Sequence, residues 1–415
     1  MSIFRPFKAV RPMPAFANQV AALPYDVMNS AEAREAVRDN PYSFLHVDKA
    51  EIDLPESINI YDDEVYRTAA RNLRSLEENQ ICKQDTMPCF YIYMQTMNGV
   101  TQTGIVGCAS IDEYMNGKIK KHELTREDKE ADRIRHVDEC NANTGPIFLT
   151  YRGNDELTAI INEFKNTHLP VYDFISDGNV SNKIWVVNEE KINSDIQKLF
   201  TSVDALYIAD GHHRCASAVK VGLKRREENP GFTGEEEFNF FLAVAFPKDE
   251  LRILDYNRVV ADLNGLTTEQ FIEKAEKNFV VESLGTHEPY APEAHHTFGM
   301  YLDGKWYKLT AKEGTFDEAD PVKSLDVSIL QNNLISPVLG IDDPRTDKRI
   351  DFVGGIRGLH ELERRANSDM KIAFSMYPTS LDELIRIADA GELMPPKSTW
   401  FEPKLLSGLF IHKLS

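Results

Sequence analysis

The sequence predicts a mixed α/β fold, and three observations carry that expectation. Short apolar runs of strand length alternate with amphipathic stretches of helix length along most of the chain. At 415 residues, 42% hydrophobic and 27% charged, the chain is long enough for two or three domains, each with its own core. Leu206-Tyr207-Ile208-Ala209 reads as a buried strand, Asp210-Gly211 as a sharp turn, and Cys215-Ala216-Ser217-Ala218-Val219 as the opening of a helix.

Before that stretch, residues 3–28 are punctuated by proline and read as an edge or turn-rich segment, with Asp26 beside a stiff turn. Asn29-Ser30 caps a helix over 31–38, with Glu32 near its start, and 42–47 looks like a strand. An acidic, irregular piece precedes a helix over 62–80 that carries Val65, Ala69, Leu73 and Leu76 on one stripe. Runs at 89–94 and 102–110 flank Asn98-Gly99, a hairpin signal. Thr125 with Asp128 reads as a capping pair opening a helix to Cys140, on which Asp132, Arg133 and His136 share a solvated face. A strand over 147–151, a helix over 155–165, strands at 169–175 and 183–187, and a helix over 190–202 lead into the Asp210 turn.

After it, 220–237 reads as a loop and 238–246 as a strand buried on both faces. A strand follows at 252–260, then a helix at 268–277 and a hairpin over 299–309 turning at Asp303-Gly304. Helices are expected at 326–334, 359–366 and 380–390, with Gly391 ending the last, and strands at 371–376 and 407–412. Pro395 and Pro396 stand where a phosphate-wrapping loop needs glycine, so Lys397-Ser398-Thr399 is not a true P-loop, although a rigid loop could still present all three to phosphate.

Composition narrows the function. The formal charge of −19 disfavours nucleic acid and anionic membrane, and the basic run at 118–122 is cancelled by the acids that follow it. Cys82, Cys89, Cys108, Cys140 and Cys215 are scattered and odd in number, as expected of reduced thiols in a cytoplasmic protein. The longest apolar stretch is too short to span a bilayer, and the first residues lack a signal-peptide core.

The chemistry converges on the Asp210 turn. A helix start offers unpaired N–H groups and partial positive charge, Gly211 permits close approach, and His212, His213 and Arg214 add donors suited to phosphate. No metal is expected: adjacent histidines point apart, and no neighbouring spacing motif completes a tetrahedron. Asp26 is either a turn aspartate bonded to backbone or a catalytic carboxylate.

Five segments, 23–27, 40–46, 121–125, 208–214 and 394–399, together resemble a large bacterial and archaeal family long called a domain of unknown function. The His-His-Arg turn is also similar to the phosphate-binding turn of the ParB/sulfiredoxin fold, which free serine kinases share. That resemblance implies a ParB/sulfiredoxin-like nucleotide-binding core over residues 1–250, with an insertion around 50–145. A C-terminal α/β region over 251–415 would return its last loop to the site. It implies a kinase moving phosphate from ATP or ADP, with Mg²⁺, to a free hydroxy amino acid, L-serine above others. Asp210, Gly211, His212, His213 and Arg214, with Lys397, Ser398 and Thr399, would hold phosphate. The base is Asp26 or Glu123, His213 assists, and His122, Thr125 and Arg133 support the substrate. The serine kinases carry a glutamate where this chain has Pro24-Tyr25-Asp26. A non-enzymatic nucleotide-binding module and a metal-dependent hydrolase using His122, Glu123, His212 and His213 are the rival readings; a homo-oligomer is left open.

Overall fold

The apolar runs assemble, in a computed structural model describing residues 2–285 and 288–415, into two compact units. The first comprises Met1–Leu251 with Pro403–Ser415, and the second Arg252–Glu402. The fold is mixed α/β.

Among the described residues the first unit holds a nine-stranded sheet. Its order runs Ile119–Lys120, Leu206–Asp210, Ile147–Tyr151, Phe240–Pro247, Val100–Ser110, Phe90–Met97, Val180–Val187 and Tyr172–Ser176, with Phe4–Arg5 paired to Val100–Ser110. Parallel and antiparallel pairings mix: Leu206–Asp210 is parallel to Ile119–Lys120 and antiparallel to Ile147–Tyr151. Phe240–Pro247 lies near the middle and is buried at every residue, which is why it reads as an unbroken apolar run rather than an alternating one. Asn98 and Gly99 both take positive φ, 51° and 76°, the conformation a tight hairpin turn needs.

One sheet face packs Phe90, Ile92, Leu149, Ile208 and Phe241 against Leu157, Ile161, Phe164, Ile196 and Phe200 of the Asp155–Thr167 and Glu190–Phe200 helices. On the opposite face, Tyr91 and Tyr93 meet Phe410 at ring separations of 5.2 and 6.0 Å, so the C-terminal segment forms part of this core. His412–Lys413 pairs with Ala142–Asn143, and single bridges join Ser407 to Ala22 and Ile411 to Val10. The strand expected over 407–412 is thus reduced to those contacts.

The Asp63–Glu78 helix, capped by Asp62, buries the predicted stripe of Val65, Ala69, Leu73 and Leu76. Several other expectations change. Residues 42–47 are not a strand: Asn40 and Ser43 side chains accept from the N–H groups of Tyr42 and Leu45, and those local bonds favour the short Leu45–Asp48 helix. Thr125 does not cap the Glu127–Cys140 helix; its hydroxyl donates to Glu130 instead, 2.8 Å away. That helix is not a solvated one on the Asp132, Arg133 and His136 side, because all three are buried. The region after the Asp210 turn is helical from His212 to Glu228, held by Lys224 and Arg225 on Asp138 at 2.6 and 2.8 Å, and only from Asn229 does the chain become a loop.

In the second unit six antiparallel strands lie in the order Phe279–Ser283, Lys305–Ala311, Thr297–Leu302, Ile372–Ser375, Tyr256–Val260 and Ile350–Gly354. Trp306, Val259, Val353 and Leu362 form part of its core. The predicted Asp303-Gly304 hairpin and the Ser380-capped helix Leu381–Asp389 are present, and Gly391 takes φ 72°. The helix expected over 326–334 is α-helical only to Leu330 and then widens into a π-turn through Ile335. Among the described residues no helix is long and apolar enough to cross a membrane.

Candidate functional site

A bulge between Ile208 and Asp210 ends the Leu206–Asp210 strand and re-aims its last side chain. Gly211 follows at φ 91°, ψ 32°, a left-handed conformation that glycine adopts without strain, and the helix begins at once with His212. The helix therefore starts three residues earlier than the sequence suggests, so His212, His213 and Arg214 are its first turn. Their backbone amides lie at the positive end of a helix running to Glu228.

Asp210 organises this end. One oxygen accepts from the Gly211 N–H at 2.8 Å; the other lies 3.1 Å from Lys404 Nζ and 3.9 Å from Arg214 Nη2. Burial works against its charge, yet Lys404, Arg214 and that N–H hold the carboxyl well below the usual carboxylate range.

The three side chains of the first turn diverge, which corrects the picture of one shared grip. His212 is buried against His122, with ring centroids 4.5 Å apart and planes nearly perpendicular, and its Nδ1 lies 3.7 Å from Glu123 Oε2. Burial lowers both imidazoles, His122 to about 4 and His212 well below the ordinary value, where His122 adds to the effect. His213 turns the other way and accepts the Arg126 N–H at 3.0 Å. Burial lowers it too, against the opposing charge of Asp26.

Arg214 donates to the Pro146 carbonyl at 2.7 Å, and its buried Nε has no hydrogen-bond partner among the described residues. Burial opposes the guanidinium charge, but Asp26 and Asp210 raise its pKa above the ordinary value. A Cβ on Gly211 would sit 3.2 Å from that Nε, so glycine is what lets the guanidinium fold over the turn.

Arg214 also lines a small cavity with Tyr25, Asp48, Arg133, Thr144 and Gly145. Arg133 bonds Asp132 at 2.9 Å and lies over the Tyr25 ring, 4.1 Å from its centre; Thr144 donates to Asp48 at 2.9 Å. Burial raises the Tyr25 phenol. Asp26 is exposed beside Tyr25, and its charge acts on both His213 and Arg214.

The structure thus brings Asp26, Tyr25, Arg133, His213 and Arg214 into one neighbourhood, and His122, Glu123 and His212 into another on the far side of the same turn. Thr125 belongs to neither grip, being bonded to Glu130. Lys397, Ser398 and Thr399 lie in the second unit. There Ser398 is buried and donates to the Pro395 carbonyl at 2.7 Å, Lys397 takes φ 60°, and the Ser398 carbonyl accepts from Thr379 at 2.9 Å. Sequence reasoning missed Lys404, which sits 194 positions from Asp210, and Asp48, which lay in a stretch that reads as irregular.

A mixed sheet whose strand runs through a positive-φ glycine into a helix, with arginine, lysine and aspartate gathered at the junction, defines a mixed α/β protein. The chain belongs to the family described as protein of unknown function (DUF1015), whose model matches residues 4–328. No curated protein matches it. Among solved structures it is similar to a mutant free serine kinase in complex with ADP, at 14% identity, TM-score 0.37, covering 72% of this chain and 87% of that one. It is also similar to a free serine kinase in complex with AMP (15%, TM-score 0.36, 72% and 86%). A conserved hypothetical protein from Pyrococcus furiosus is similar at 15% identity, TM-score 0.35, covering 73% and 94%.

Proposed function

We propose that the chain is a phosphotransferase that moves the terminal phosphate of ATP or ADP, carried with Mg²⁺, to a free hydroxy amino acid such as L-serine. The observation that carries this reading is the junction at Gly211. The Arg214 guanidinium, in the first turn of that helix, lines a cavity, and an exposed carboxylate, Asp26, acts on that guanidinium. Helix-start amides and arginine are the donors that phosphate oxygens take.

The cavity also suits the acceptor. Arg133 supplies positive charge for a carboxylate, and Asp48 supplies negative charge for an ammonium group. In the transfer, the acceptor hydroxyl oxygen bonds to the terminal phosphorus as the bond from that phosphorus to the nucleotide's bridging oxygen breaks. The nucleotide leaves one phosphate shorter, and the hydroxyl proton passes to a carboxylate. A divalent ion on the nucleotide neutralises developing phosphate charge; the chain's own part is to position both reactants and accept the proton. Asp26 takes that role, because Glu123 lies with the His122 and His212 rings instead.

Calorimetric titration with ADP and ATP tests the binding half of this reading. Wild-type protein should bind, and Arg214→Ala should weaken binding about tenfold or more, as the loss of one charge-assisted contact implies. Absence of heat at millimolar nucleotide contradicts it.

A further inference from the structure

We propose that His122, Glu123 and His212 bind one first-row divalent transition-metal ion. One candidate ligand atom from each residue lies within 4.8 Å of the others, a separation that small side-chain motions close around an ion. Nε2 of His212 is buried without a hydrogen-bond partner among the described residues, and the two buried ring nitrogens of His122 have no well-formed one, the Ile208 backbone being the group nearest to hand. A neutral imidazole has one donor and one acceptor, and leaving either unpaired in the interior is unfavourable. Two buried imidazoles beside one carboxylate, with ring nitrogens left over, point to a partner that the chain itself does not supply.

The fold explains the meeting. Ile119–Lys120 runs parallel beside Leu206–Tyr207, so the residues just past the two strand ends, His122 with Glu123 and His212, arrive side by side. His213 is turned away onto Arg126, which leaves His212 alone to represent its pair.

Two imidazoles and one carboxylate with open positions suit zinc, iron, manganese or cobalt; Mg²⁺ prefers an all-oxygen shell. This site is therefore distinct from any Mg²⁺ that accompanies a nucleotide, and the inference does not rest on the phosphotransferase reading. The ligands span residues 122 to 212, so no local spacing motif announces them.

The test is titration of chelator-treated full-length protein with Co²⁺, followed by visible absorption, then competition with Zn²⁺ and with excess Mg²⁺. One Co²⁺ per chain should bind, be displaced by Zn²⁺ and be untouched by Mg²⁺. His122→Ala and Glu123→Gln should each weaken Co²⁺ at least about tenfold, since even outer-shell losses cost that much. Glu123 is partly exposed, and its isosteric amide keeps a folded control should the histidine variant not fold. Failure of wild-type protein to bind stoichiometric Co²⁺ or Zn²⁺ at micromolar concentration overturns the proposal, as does unchanged affinity in a folded variant. No nucleotide is present, so this failure is separable from failure of the kinase reading.

Discussion

Lys404 Nζ lies 3.1 Å from Asp210 Oδ2 and ties the C-terminal segment to the strand end that launches the Gly211 helix. The same carboxylate holds the Gly211 N–H and stands near Arg214, so one side chain fixes the turn, the guanidinium and the tail together. Asp210→Asn should leave the largely buried Lys404 without its full counter-charge and cost about 2 kcal/mol or more in urea unfolding. Combined with Lys404→Met, the loss should be smaller than the sum of the two single losses, because both remove one interaction. Additive losses would show that the pair is not coupled.

Gly211 is the next lever. An alanine there must adopt φ 91° and push its Cβ to within 3.2 Å of the Arg214 Nε. Strain alone should cost about 1–2 kcal/mol. Displacing the guanidinium should also weaken nucleotide binding in the fraction that stays folded, and calorimetry on Gly211→Ala beside wild type checks both effects.

Further along the same helix, Gly222 lets two elements touch. A Cβ at that position would fall 2.4 Å from the Phe238 carbonyl oxygen and 2.8 Å from Ile111 Cδ1. Gly222→Ala should destabilise by about 1–3 kcal/mol through overpacking, outweighing alanine's better helix propensity. A melting temperature at or above wild type would contradict the packing.

Acid should weaken the fold through His412. Its ring is buried between Asn143 at 3.1 Å and Glu237 at 2.7 Å, with Phe7 edge-on and Arg5 near Glu237. Burial lowers its pKa despite Glu237's opposing pull. The unfolded chain then binds a proton, below about pH 6.5, that the folded chain resists. The stability from this group is complete above that pH and is lost as pH falls toward the folded value. Urea unfolding at several pH values should show the decline, and His412→Phe, which leaves Arg5 to neutralise Glu237, should flatten it. An identical slope in the variant would exclude His412 as a source.

Local chemistry made part of this legible in the sequence. The Asn98-Gly99 and Asp303-Gly304 hairpins, the Asn29 cap and the strand, glycine and helix around Gly211 are each dictated by residues a few positions apart. What the sequence concealed depends on distant partners. Asp132, Arg133 and His136 look solvated until Tyr66, Tyr25 and the Val47 carbonyl close over them. His122 and Glu123 look like part of a charged run until two parallel strand ends place them beside His212. Adjacency of His212 and His213 suggests a joint grip, yet consecutive helical residues diverge by about 100°, and the structure sends them to opposite sides.

The proposed reaction, phosphoryl transfer to a free hydroxy amino acid by the Gly211 helix start and Asp26, can be followed atom by atom. Phosphorus NMR of wild-type protein with ATP or ADP, Mg²⁺ and L-serine tests it most directly. O-phosphoserine should grow as the nucleotide loses its terminal phosphate, about a hundredfold more slowly with Asp26→Asn, in line with the loss of a general base, and not at all with Arg214→Ala. Nucleotide that stays intact whether or not serine is present would rule out the proposed transfer.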